Sequence, residues 1–292
     1  MRFKGAFVAL VTPFKDGKVD RKKLTELVDL QLAAGIDGIV PCGTTGEAPT
    51  LSDEERRIVV KSVVARVKGR VPVIAGAGGN DTRRTVGSLK DARRAGADGV
   101  LVVTPYYNRP TQEGLLLHFR AVAAATRLPV IAYNVPSRTG VSFAAETLER
   151  LAAEKKIVAV KEASGSMDLV CALARTRRLD VLSGDDPLTM PIMAAGGVGV
   201  ISVLANIAPG SVAKLTRMCL VGDFVRAREL HEQLYPLAKA MFMETNPIPV
   251  KTAMRMLGMC NGELRLPLCP MGREKADKLS TILRACKGLL RN

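Results

Sequence analysis

Short apolar runs alternate along most of the chain with longer stretches in which apolar residues recur at helical spacing. The runs lie at 5–11, 36–40, 71–76, 99–103, 129–133, 157–161, 180–183 and 199–203, and they predict strands. The intervening stretches, near 21–34, 52–68, 82–95, 113–126, 144–154, 167–176 and 187–195, predict helices. The second of these opens on Ser52-Asp53-Glu54-Glu55, whose Ser-x-x-Glu spacing predicts a capping box. Two echoes reinforce the rhythm. "AGIDGIV" (34–40) returns as "AGADGVL" (95–101), and "RVPVIAG" (70–76) as "RLPVIAY" (127–133). Each joins a helix end, a glycine turn and a β-branched strand in the same order.

Strands that are apolar on both faces belong in a covered parallel sheet, and eight of them suit an α/β (β/α)8 barrel. An open doubly wound sheet is the alternative. No further strand is predicted beyond about residue 208, where 209–219, 223–243, 248–258 and 271–289 all read as helical. The expected organisation is a barrel over 1–223 followed by a helical C-terminal region over 224–292.

The 292 residues are 47% hydrophobic and 24% charged, as in an ordinary globular protein. Lys and Arg outnumber Asp and Glu by 43 to 28, a net +15. These basic residues are scattered over predicted helices. With no Trp, four Tyr and seven Phe, the chain lacks the basic-aromatic pattern of a nucleic-acid binder, so no nucleic-acid partner is expected. The charge-free stretch 187–213 has the length of a membrane span, but four glycines and three prolines break it into helix, turn and strand. The N-terminal "MRFKGAFVALVTPF" lacks a small-residue cleavage site and reads as a first strand. Six cysteines without a CxxC pair suggest reduced, mostly buried thiols in a soluble cytoplasmic protein. His118 and His231 stand far apart on helical patterns, so neither a histidine metal site nor a Ser-His triad is expected.

In such a barrel, chemistry collects at the C-terminal strand ends. Here those ends carry "GTTGE" (43–47), "TPYYN" (104–108), Tyr133 with "NVPSRTG" (134–140), Lys161, and "SGDD" (183–186). The glycine-rich "GAGGND" (76–81) has Asp81 where a dinucleotide loop needs its third glycine, and no Walker loop occurs, so no cofactor is expected. "GTTGE" suits a small carboxylate, although a plain turn accounts equally well for its composition. Lys161 ends a very apolar strand. Either that strand has reached solvent, or it mounts an amine in a dry pocket that keeps it neutral and nucleophilic. One amine, several phenols, two threonines and Arg138 together favour imine chemistry. Glu162 points away from the barrel axis by alternation and reads as structural.

Taken in order, "GTTGE", "TPYYN", "YNVPSRTG", "VAVKEASG" (158–165), "SGDD", "GVISV" (199–203) and "NPIPVK" (246–251) resemble the dihydrodipicolinate synthase family of pyruvate-dependent class I aldolases. The resemblance spans essentially the whole chain. It implies a TIM barrel with a helical C-terminal extension that condenses pyruvate with L-aspartate-4-semialdehyde in diaminopimelate and lysine synthesis. It also implies that Lys161 forms the imine, that Thr44 and Thr45 bind the pyruvate carboxylate, and that Tyr133 moves protons through Thr44 to Tyr107. Arg138 would receive the semialdehyde carboxylate, and Gly184 and Ile201 would line the pocket. Tyr107 would come from a neighbouring subunit, which implies a homo-oligomer, usually a tetramer built as a dimer of dimers. Sister families act on sialic acid or 2-keto-3-deoxy sugar acids; Arg138 within "PSRTG" favours the synthase. Members inhibited by lysine use a glutamate where this chain has Arg84, and often histidines where it has Asp53 and Arg56, while Ala48, Asn80 and Tyr106 fit the pattern. Feedback by lysine is therefore expected to be weak or absent.

Overall fold

Each of the eight apolar runs holds all or most of a strand of one parallel sheet in the computed structural model, which describes residues 3–290. In chain order the strands are β1 (Gly5–Ala9), β2 (Phe14–Lys15), β3 (Lys18–Val19), β4 (Gly38–Val40), β5 (Ile74–Gly76), β6 (Gly99–Val103), β7 (Val130–Asn134), β8 (Ile157–Glu162), β9 (Asp180–Ser183) and β10 (Gly199–Ser202). β2 and β3 form a small antiparallel hairpin. The other eight run in the order β4-β1-β10-β9-β8-β7-β6-β5, and a parallel bridge between Ile39 and Val73 joins the two ends. The sheet is therefore a barrel, and the open-sheet alternative is excluded.

The helices are α1 (Arg21–Ala33), α2 (Asp53–Val67), α3 (Thr82–Arg94), α4 (Gln112–Ala125), α5 (Pro136–Thr139), α6 (Ala145–Leu151), α7 (Met167–Thr176), α8 (Thr189–Ala194), α9 (Pro209–Leu220), α10 (Phe224–Ala240), α11 (Ile248–Met256) and α12 (Arg273–Ala285). The capping box forms: Glu55 N–H donates to Ser52 Oγ at 3.2 Å, and Ser52 N–H to the Glu55 carboxylate at 2.9 Å. Stretch 187–213 divides among α8, β10 and the start of α9, and no helix of the described residues is long and apolar enough to cross a membrane.

Three details depart from the sequence pattern. The hairpin of β2 and β3 went unpredicted because two-residue strands carry no readable period. α5 forms within the segment read as loop, begun by Pro136 and ended by Gly140 in a left-handed turn. β1 stops at Ala9 rather than residue 11, because Leu10 N–H turns to Val40 O (3.0 Å) and Val11 N–H to Asn206 Oδ1 (3.1 Å). The cysteine expectation needs correction as well. All six are unpaired, but only Cys42 and Cys219 are buried, while Cys171 and Cys269, on exposed surfaces, reach solvent.

Strand alternation separates two cores. Phe7, Val40, Leu101, Ile131, Ala159 and Leu182 fill the barrel interior. Their neighbours Val8, Ile39, Val100, Ala132, Val160 and Val181 pack outward under the helices, in a cluster that also takes in Leu234 of α10, Val250 of α11 and Leu279 of α12. The C-terminal helices thus share the barrel's outer core.

In the β1–β10 register Gly5 faces Gly199, and a Cβ at Gly199 would lie 2.0 Å from Gly5 O. Backbone cannot yield there, so Gly199→Ala should destabilise the fold by about 2 kcal/mol or more in urea denaturation. Gly87, exposed on α3 with open space around it, should behave oppositely, with Gly87→Ala gaining about 0.5–1 kcal/mol. Equal effects at the two positions would contradict the β1–β10 register.

Candidate active site

The parallel register sets Tyr133 of β7 beside Lys161 of β8. Two residues below Lys161, Ala159 faces the barrel interior, so alternation aims the lysine inward too. Its ammonium lies over the Tyr133 ring, 4.2 Å from the centroid, and the residue is 5% exposed. Gly184 makes this possible, because a Cβ there would come within 3.0 Å of Lys161 Cε. Glu162 is buried and accepts from Asn134 Nδ2 at 2.9 Å and from Ser164 N–H at 2.5 Å, a structural role at the end of β8.

Burial is the main reason the Lys161 amine is pulled down from 10.5 to about 8; the charge of Asp186 opposes this and that of Arg138 adds to it. At neutral pH the change raises the neutral fraction roughly three-hundredfold, to about one amine in ten. Burial pushes the Tyr133 phenol up to about 12, while Arg138 and a hydrogen bond with Thr44 draw it back. Asp186 is buried with its own pKa raised by desolvation. Its carboxylate accepts from Ser202 Oγ, Val203 N–H (2.9 Å) and Leu204 N–H (3.0 Å), which ties the ends of β9 and β10 together.

A cavity of about 440 Å³ opens above these strand ends. Of the eight residues expected in the site, Thr44, Thr45, Tyr133, Arg138, Lys161 and Gly184 line it. Ile201 does not; it is fully buried in the barrel interior. Tyr107 does not reach its own chain's cavity either. It sits between β6 and α4 with left-handed backbone (φ 72°) and is 90% exposed.

In the 43–47 turn Gly46 N–H and Glu47 N–H bond back to Gly43 O and Thr44 O at 3.1 and 3.0 Å, while the N–H groups of Thr44 and Thr45 make no such bond and, with the two hydroxyls, are left as its donors. Asn246 Nδ2 donates to Thr45 Oγ1 at 2.9 Å, which leaves the Thr45 proton free for a ligand in the cavity. Arg138 Nη2 donates to Asn246 O at 3.1 Å.

The expected regulatory positions also come together. Ala48, Asp53, Arg56, Asn80, Arg84 and Tyr106 line a separate cavity of about 570 Å³. A smaller one of about 210 Å³ shares Thr44, Tyr133 and Arg138 with the first and Ala48, Arg56 and Tyr106 with the second.

Sequence reasoning missed Asn246 as a site residue, and it missed Tyr235, Lys239 and Phe242 of α10 at the cavity mouth. It also missed the ion pair between Glu47 and Lys251, both fully buried. The one available signal was Lys251 itself, a lone charge among apolar residues in "IPVKTAM".

The model of the Dihydrodipicolinate synthetase family matches residues 2–286. A 4-hydroxy-tetrahydrodipicolinate synthase from Geobacter metallireducens is 54% identical, covering 97% of this chain and 98% of that protein. One from Nitratidesulfovibrio vulgaris is 50% identical over 98% of this chain and 99% of that protein. The crystal structure of dihydrodipicolinate synthase from Aquifex aeolicus superposes with a TM-score of 0.96 at 49% identity, covering 99% of this chain and all of that one (100%). With a strand-end lysine in a closed barrel and relatives this similar over their full length, the chain belongs to the dihydrodipicolinate synthase family.

Proposed function

We propose that the chain condenses pyruvate with L-aspartate-4-semialdehyde through an imine on Lys161, the reaction of 4-hydroxy-tetrahydrodipicolinate synthase at the entry to diaminopimelate and lysine synthesis. The observation that carries the mechanism is the buried amine of Lys161 against the Tyr133 ring, in a cavity lined also by two threonines and an arginine.

The neutral amine attacks the keto carbon of pyruvate, and loss of water gives the imine. Thr44 and Thr45 hold the pyruvate carboxylate with their hydroxyls and backbone N–H groups. The protonated imine withdraws electrons, so the pyruvate methyl group loses a proton and becomes an enamine. The enamine carbon attacks the aldehyde, whose oxygen takes up a proton. The amine of the semialdehyde portion then displaces Lys161 and closes the ring. Tyr133 keeps its proton at physiological pH and passes it through Thr44, the task for which a phenol–hydroxyl chain is suited. Arg138 offers a guanidinium to the semialdehyde carboxylate. Ile201 supports the floor of the pocket from below.

Tyr107 completes the relay in a neighbouring subunit; its exposure and position outside its own cavity support this reading. The protein accordingly works as a homo-oligomer, a tetramer in the cytoplasm. Arg84, in the second cavity, opposes any ligand ammonium that approaches it.

Turnover should require both pyruvate and aspartate semialdehyde, and Lys161→Ala should lower kcat by about a thousandfold or more. Turnover only with sugar-derived aldehydes would contradict the reading. The rate of imine formation with pyruvate should climb with pH as the amine loses its proton and level off above about 8; a profile flat below that point would show that the amine is not the titrating nucleophile. L-lysine at millimolar concentration should leave the rate nearly unchanged. Strong inhibition at lower concentrations would overturn the role given to Arg84.

A further inference from the structure

Glu47 directly follows the threonine turn, and its side chain is 1% exposed. Its backbone is left-handed (φ 54°), an unfavourable state for a residue with a side chain. One carboxylate oxygen accepts from Lys251 Nζ, and the other accepts from Arg265 N–H at 3.0 Å. Lys251, also 1% exposed at its side chain, donates in addition to Glu263 O at 2.7 Å and lies over the Phe14 ring, 4.2 Å from its centroid. Arg265 lies over the same ring at 4.3 Å. Thr12 Oγ1 holds the turn from the other side by donating to Gly46 O at 2.7 Å.

A buried ion pair is a poor stabilising device, because desolvation offsets most of the attraction. Here that cost and a strained backbone fall on one residue, next to the two hydroxyls that face the cavity. The C-terminal segment that supplies Lys251 also supplies Asn246, which orients Thr45. The pair therefore ties the turn to the C-terminal segment.

We propose that Glu47 and Lys251 are positioning residues: their ion pair fixes the 43–47 turn so that Thr44 and Thr45 meet the pyruvate carboxylate, making pyruvate affinity depend on the C-terminal helical region. The inference rests on the reading of Thr44 and Thr45 as the carboxylate site. It predicts a defect chiefly in binding, since the turn holds a group of pyruvate that the reaction leaves unchanged, with a smaller loss of kcat because Thr44 also passes protons for Tyr133.

The test is the double variant Glu47→Gln/Lys251→Met, which keeps side-chain volume and removes both charges, alongside Glu47→Asp, which keeps the charge but shortens its reach. Thermal unfolding and sedimentation establish folding and assembly, and steady-state kinetics separate KM from kcat. Both variants should raise KM for pyruvate roughly tenfold and change kcat by less than about threefold. The pyruvate concentration needed for half-maximal borohydride trapping should rise in parallel. A folded variant with KM within about twofold of the parent would overturn the proposal. Failure of both variants to fold would also overturn it, by making the pair a folding device. If the parent protein itself formed no trapped adduct, the imine reading would fail; an adduct with unchanged concentration dependence in the variants would sink the positioning role alone.

Discussion

An amine must be kept dry if it is to attack a ketone at neutral pH, and most of the site answers to that constraint. Lys161 stands one residue from the end of a strand packed on both faces, with the barrel interior below it and the Tyr133 ring beside it. Burial costs the ammonium its hydration and pulls the pKa from 10.5 to about 8. The unfolded chain binds the extra proton between those two values. Stability therefore rises with pH across that window, and the full cost, on the order of 3 kcal/mol, is present below it. The fold carries this cost at the position where a neutral amine is useful.

The surrounding residues adjust that cost in both directions. Asp186 opposes the loss of the proton, and its carboxylate is itself held by Ser202 and two backbone N–H groups. Gly184 leaves room for the lysine stem. Arg138 adds positive charge at the rim, where it lowers the lysine's pKa and faces the cavity that admits an anion. Opposing charges thus set the amine between a fully protonated surface lysine and one too desolvated to cycle.

The barrel was legible because its strands are apolar on both faces and its helices repeat at a regular interval, so periodicity alone orders the elements. Lys161 and Tyr133 were legible as strand ends, since alternation and parallel register place them side by side. The hairpin at Phe14 was not legible, because two residues make no period. Asn246 and Lys251 were hidden for a different reason: their partners Thr45 and Glu47 lie 201 and 204 residues earlier in the chain, and no local pattern encodes such pairing. Their motif, "NPIPVK", carried the family resemblance without disclosing that it braces the threonine turn. Tyr107 illustrates a third limit, because it is 90% exposed and lies outside the cavity, so the geometry of one chain gives it no place in the site.

The central claim is that one desolvated lysine becomes the covalent carrier of pyruvate. Incubation with pyruvate and borohydride, followed by mass mapping of the digested chain, tests it most directly. A single reduced pyruvyl group should be found on the peptide that contains Lys161, absent from Lys161→Ala. An unmodified Lys161 peptide, or an adduct spread over surface lysines, would contradict the account.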